Sequence, residues 1–262
     1  MTAYPIIFAM LTIAQTAEGP KGDSPKASAA SETSLAAMFQ RVEKTQVTIP
    51  KNSAAKIKVE AAPVFRYSDE LRRIEDAGMR LWTDRGRPVA AMKVERYTPG
   101  IHPEPWLYCF ASLSSDQVAA EWKGARGYQT RKPGVTWKVL DDAPKENRAG
   151  RLVQMRDLAR RFGAELIDYK DVSSQMRLLS RPLFRYDDGP TDGAVFGFTG
   201  TGTNPDFLLL LETRPDNKWQ FGCVTMTADG LRIRLKDEVV FTAPHVGGKG
   251  NEFDNWLHFW TK

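Results

Sequence analysis

Glu95 and Glu212, with Asp69 and Asp188, are the residues whose type and spacing could do chemistry in this chain. Each pair occupies matching places in two similar stretches. Pro63-Val64-Phe65-Arg66-Tyr67-Ser68-Asp69 returns as Pro182-Leu183-Phe184-Arg185-Tyr186-Asp187-Asp188. Two carboxylates facing each other across a cleft could serve as acid and base in glycoside hydrolysis, their separation setting the stereochemical course. Arg66, Arg185, Arg85 and Arg87, with Trp82 and Trp106, are the candidate binding residues. Guanidinium groups bind hydroxyl and anionic oxygens, and indole faces stack on apolar rings. The competing role for the same residues is structural, with Arg66 and Arg185 pairing with carboxylates at strand ends and the aromatics filling the core edge. One active site is enough for catalysis, so a polar set kept in both stretches points to a folding requirement, and the structural role is favoured.

Other chemistries find less support. The three histidines, His102, His245 and His258, lack the HExxH or i/i+4 spacing of a metal site. His245, Asp254 and His258 are the one conceivable cluster, and no metal or cofactor is assigned. Gly247-Gly248-Lys249-Gly250 lacks the Ser or Thr and the following helix of a phosphate loop. No serine sits on a GxSxG elbow.

The elements that must position these residues also come twice. Beyond the first match, Asp76-Ala77-Gly78 meets Asp192-Gly193-Ala194, Pro88 and Glu95 meet Pro205 and Glu212, and Trp106-Leu107-Tyr108 meets Trp219-Gln220-Phe221. The register changes fall in stretches rich in Asp, Gly, Pro and Arg, where insertions cost little. Each copy opens with a helix. Leu152, Met155, Leu158, Ala159 and Phe162 recur at helical spacing, with Gly163 as the stop, and residues 35–42 form the first counterpart. Short strands follow, joined by connections too short for helical crossovers. Phe207 to Leu211 is apolar on both faces and reads as a central strand. Thr199 to Pro205 reads as a flexible hairpin turn, and the stretch from Phe253 to Trp260 as a terminal strand or helix docked on the body.

The expected fold is therefore α+β, mainly antiparallel β, and internally duplicated. It comprises two meander sheets packed about a pseudo-two-fold axis, with one helix per repeat. The boundaries read as a signal peptide over 1–17, a disordered polar tether over 18–34, a first repeat over 35–140, a linker over 141–150 and a second repeat over 151–262. Tyr4 to Ile13 is an apolar run of signal-peptide length, and Pro, Gly, Ser and Ala dominate the tether. Export to the periplasm or the extracellular space follows, with no membrane association after cleavage.

Composition agrees with a folded protein, at 42% hydrophobic and 10% aromatic among 262 residues. The formal charge of +5 is spread along the chain, which argues against a specific nucleic-acid partner. Cys109 aligns with Gly222, and Cys223 with Phe110, one register apart. This points the thiols to opposite faces and favours two buried free cysteines over a disulfide.

The Leu-x-x-Met-Arg-x-Leu-Ala helix, the Pro-Leu-Phe-Arg-Tyr strand, the Asp-Gly-Ala-Val-Phe-Gly-Phe strand and the Leu-Leu-Leu-Leu-Glu strand together resemble a family of uncharacterised exported bacterial proteins. The resemblance covers residues 60–245 and implies no activity, cofactor or catalytic residue. Arg85, Arg87 and Lys93 make the first half more polar than the second. The expected function is a non-catalytic binding or scaffolding protein of the cell envelope or extracellular space, its partner an envelope glycan or protein. The alternatives are a glycan-active hydrolase using the paired carboxylates and an anionic-polymer-binding protein.

Overall fold

Short apolar runs broken by Gly, Pro, Asp and Asn give strands joined by tight turns, and the computed structural model shows them pairing antiparallel throughout. It describes residues 36–38, 40, 42–52, 54–122, 126–246 and 256–261. The signal segment, the tether, the 247–250 glycine run and Asp254 lie outside the described residues.

The first helix, α1, is seen at 36–38, 40 and 42–43. The strands of the first half are β1 (Thr45–Thr48), β2 (Ile57–Val59), β3 (Phe65–Asp69), β4 (Ile74–Asp84), β5 (Arg87–Tyr97), β6 (Trp106–Ser112), β7 (Ala119–Trp122) and β8 (Arg126–Gln129). Strand β9 (Lys138–Leu140) and helix α2 (Arg148–Ala159) follow. The second half continues with β10 (Phe162–Ile167), β11 (Ser173–Gln175), β12 (Arg177–Leu178), β13 (Phe184–Asp187), β14 (Asp192–Thr199), β15 (Phe207–Thr213), β16 (Trp219–Thr225), β17 (Gly230–Leu235), β18 (Glu238–Ala243) and β19 (Trp256–Thr261).

Two six-stranded sheets form the centre. One runs β19-β6-β5-β4-β2 with β3 also on β4; the other runs β9-β16-β15-β14-β12 with β13 also on β14. Met79, Leu81 and Ala91 of the first sheet pack against Val195, Leu208 and Leu210 of the second. Strand β15 is buried on both faces, as its run of leucines implies. The outer face of the first sheet is covered by α1 and the small sheet β1-β7-β8, through Met38, Val42, Val47 and Trp122. The outer face of the second is covered by α2 and the sheet β11-β10-β17-β18, through Met155, Leu158, Phe162 and Ile233.

The fold is α+β and mainly antiparallel β, but the two-meander expectation needs correcting in three ways. Strands β7 and β17 leave their meanders for small outer sheets, because each buries one face only. The outer edge of each six-stranded sheet comes from the opposite half: β9 pairs with β16, and β19 pairs with β6. The helix ends at Ala159, and Phe162 opens β10. The residue at the C-cap, Arg160, still donates its N–H to the Arg156 carbonyl, and Phe162 keeps the apolar spacing while facing the same core from a strand. The cysteines are free and buried, Cys109 between the central sheets and Cys223 in the core on the outer side of the second sheet.

Candidate functional site

Of the polar residues common to both halves, the tyrosines and glutamates are buried, whereas Arg66 is exposed and Arg185 half-buried, and each arginine and tyrosine bonds a carboxylate of its own sheet. Arg66 on β3 reaches Asp76 on β4 at 2.8 Å, and Arg185 on β13 reaches Asp192 on β14 at 2.7 Å. Tyr67 donates its hydroxyl to Glu95 at 2.6 Å, and Tyr186 donates to Glu212 at 2.9 Å. The Tyr186 ring lies over the bare backbone of Gly193, where a Cβ would stand 2.4 Å from it. Glu95 and Glu212 are 2% and 1% exposed, so neither faces solvent. Burial, reinforced by the adjoining carboxylates, raises both tyrosines well above their ordinary range and keeps them protonated donors.

Around these pairs, two polar clusters tie the halves together, and they differ. At the first, Arg87 at the start of β5 reaches Glu212 with Nε at 3.1 Å and Nη2 at 2.5 Å, while Gln220 donates to the same carboxylate. Burial outweighs these partners and raises Glu212 above the usual carboxylate range. At the second, the loop between β14 and β15 enters the first half. Lys93 donates from Nζ to Asn204 Oδ1 at 2.8 Å and to the Pro205 carbonyl at 3.2 Å, and lies 3.4 Å from Glu95 Oε1. Arg72 is bidentate on Asp206, and Thr201 donates to Asp69 at 2.8 Å. Burial opposes the charge on Arg72, but Asp206 and Asp69 more than offset it and hold the guanidinium charged. The turn expected to be flexible is thus pinned at both ends. Asp229 is raised by burial and faces His245 at 3.4 Å.

The sequence-derived candidates are now placed. Glu95, Glu212 and Asp69 are buried in separate hydrogen-bond sets, and Asp188 is half-buried, accepting from Thr191 N in a turn. Glu95, Glu212 and Asp69 are held by partners inside the protein and do not face one another across either cleft described below. Trp82 and Trp106 belong to the core beneath α1, at 2% and 8% exposure, and form no stacking surface. Arg85 is exposed at a left-handed turn position, while Arg87 lies inside the inter-half cluster and over the Trp137 ring. His258 sits on β19 opposite Cys109, and among the described residues no group of three or more His, Cys, Asp or Glu is arranged for a metal ion. Burial pushes the Cys109 thiol up to about 12, far from a reactive thiolate at neutral pH.

Sequence reasoning missed Arg72, Lys93, Asn204 and Asp206. Lys93 carried a usable signal, a lone cation within the apolar run Val89 to Val94. The other three gave none, because their partners lie more than a hundred residues away. On the outside, a cleft of about 450 Å³ opens beside the start of α2, lined by Arg151, Asp192, Arg214 and Asn217. A second of about 750 Å³ follows α2 past Val153 and Arg161, and Lys145 and Glu146 line both. None of Glu95, Glu212, Asp69 and Asp188 lines either cleft. The chain matches no protein-family model, no curated protein and no solved structure.

Proposed function

We propose that this protein is a non-catalytic binding or scaffolding protein exported to the cell envelope or extracellular space, built by internal duplication about a pseudo-two-fold axis. The observation that carries the reading is the saturation of the shared polar set. Arg66 and Arg185, Tyr67 and Tyr186, Glu95 and Glu212 make the same intramolecular bonds in each half. Glycoside hydrolysis needs carboxylates reachable by water and sugar, and these are sealed by tyrosine, lysine and arginine donors. The matching strand order of the two six-stranded sheets supports the duplication. The apolar run over Tyr4 to Ile13 supports export.

The anionic-polymer alternative is weakened along and just past α2, where Arg151, Arg160 and Arg161 each answer a carboxylate, Asp192, Asp157 and Asp142. Binding is assigned to outer surfaces, among them the two clefts along α2. The test is thermal unfolding of the chain against divalent metals, neutral envelope glycans and acidic polymers at low and high salt, with sugar release assayed alongside. The expected result is a ligand-specific, salt-insensitive rise in melting temperature without release. Sugar release that disappears in folded Glu95→Gln or Glu212→Gln would overturn the reading.

A further inference from the structure

Lys93 is an unusual residue to find between two sheets. It is 2% exposed, on a central strand, and its amine meets an asparagine side chain from the other half of the molecule and a glutamate two residues along its own strand. Asn204 is 2% exposed and Glu95 is 2% exposed, so the three groups share one water-poor site. The hydroxyls of Tyr67 and Tyr97 close it by donating to Glu95, at 2.6 and 3.3 Å.

Neutralising a buried carboxylate does not require this arrangement. At the equivalent place in the other sheet, Glu212 is answered directly by Arg87, the residue before Pro88. Asn204 is the residue before Pro205 and stands where Arg87 stands, while Leu210 takes the place of Lys93. One crossing therefore holds an arginine and a leucine, and the other an amide and a lysine. The second combination places a nucleophile against an acyl group, with an acid–base residue beside both.

We propose that Lys93 and Asn204 become joined by an intramolecular isopeptide bond, with Glu95 carrying the protons. In the first step the Lys93 ammonium passes a proton to Glu95 across 3.4 Å, leaving a neutral amine and a neutral carboxylic acid. The Nζ lone pair attacks Cγ of Asn204, and the amide oxygen takes up the developing negative charge with the protonated Glu95 as donor. The tetrahedral centre collapses, the bond from Cγ to Nδ2 breaks, and the amide nitrogen departs as ammonia with the proton that Nζ gives up. One amine and one primary amide become one secondary amide and one ammonia, with no oxidant, reductant or other reactant.

The fold supplies the proximity such a slow reaction needs. Lys93 is fixed between β4 and β6 by strand pairing on both sides. The loop carrying Asn204 is held by the Arg72–Asp206 pair, by Thr201 on Asp69, and by Met226 N donating to the Asp206 carbonyl at 2.8 Å. Tyr67, kept protonated, stays a donor to Glu95 and holds its carboxyl in place.

Mass spectrometry of the purified full chain tests this, first intact under denaturing conditions and then after proteolysis. The expected result is a mass short by one ammonia, and a branched peptide that joins the segments holding Lys93 and Asn204. Folded Glu95→Gln is expected to keep the full mass, and Asn204→Asp to lose one water instead of ammonia. A wild-type chain at full mass, or an ammonia loss that maps to other residues, would overturn the proposal. A cross-link that persists in folded Glu95→Gln would overturn the role given to Glu95. Near-ultraviolet circular dichroism of each variant establishes that it is folded.

Discussion

At the scale of single residues, the same tyrosine–glutamate bond recurs with two different cationic partners, Lys93 beside Glu95 and Arg87 on Glu212. Glu212 shares its carboxylate among Arg87, Tyr186 and Gln220, yet burial still raises it above 4.5. The folded state therefore holds that proton to higher pH than the unfolded chain does. Its contribution to stability is complete below the unfolded value and is lost as pH rises through the folded one. Glu212→Gln, which mimics the neutral form, is expected to fall less in melting temperature than wild type as pH rises from the ordinary carboxylate range through the raised value of Glu212. Parallel curves for the two proteins would show that Glu212 does not titrate in that window. The residues behind this behaviour were partly legible. Tyr67, Tyr186, Glu95 and Glu212 emerged from the internal match of the sequence, whereas the partner arginine, at the start of β5, was placed by sequence alone among sugar-binding candidates. Side-chain type marks a residue as polar; only topology decides whether it meets a ligand or another part of its own chain.

At the scale of elements, the central strands were readable because their apolar runs admit one environment, burial on both faces. Strand β15 begins at Phe207 as the pattern placed it and runs two residues past Leu211 to Thr213. The outer strands β1, β8, β10, β11 and β18 were missed. Their alternation is brief, and in β10 the phenylalanine at its start prolongs the helical spacing of the preceding α2. The exchanged edges β9 and β19 carry no local sign of their partners, since pairing with a distant strand leaves the period of a short segment unchanged. One contact between elements gives a direct test. Gly193→Ala puts a methyl group into the Tyr186 ring and must push β13 from β14 or turn the ring off Glu212. The expected cost is about 1–3 kcal/mol, the usual range for overpacking, read from denaturant unfolding. A change within error would mean that the ring relocates freely and that the tyrosine–glutamate bond is dispensable.

At the scale of the whole molecule, three sets of links cross between the halves: the apolar layer between the sheets, the two polar clusters, and the exchanged edge strands. Neither half closes its own six-stranded sheet. Unfolding is therefore expected to be a single cooperative transition, with calorimetry and tryptophan fluorescence reporting the same midpoint. Two resolved transitions would mean that the halves are separate domains despite their shared strands. An isopeptide link between Lys93 and Asn204 would add a constraint on the unfolded chain of the kind a disulfide imposes, about 4–5 kcal/mol for a loop near a hundred residues. The exchange of β19 also settles how tension would travel. Met38 and Val42 of α1 and Leu257 of β19 pack in one cluster on the first sheet. A pull applied between the two ends of the described chain therefore meets the first sheet at both points of attachment, before it reaches the contacts that hold the second half. A body tethered at one end and gripped at the other would load its first sheet ahead of its second sheet, α2 and the clefts beside it.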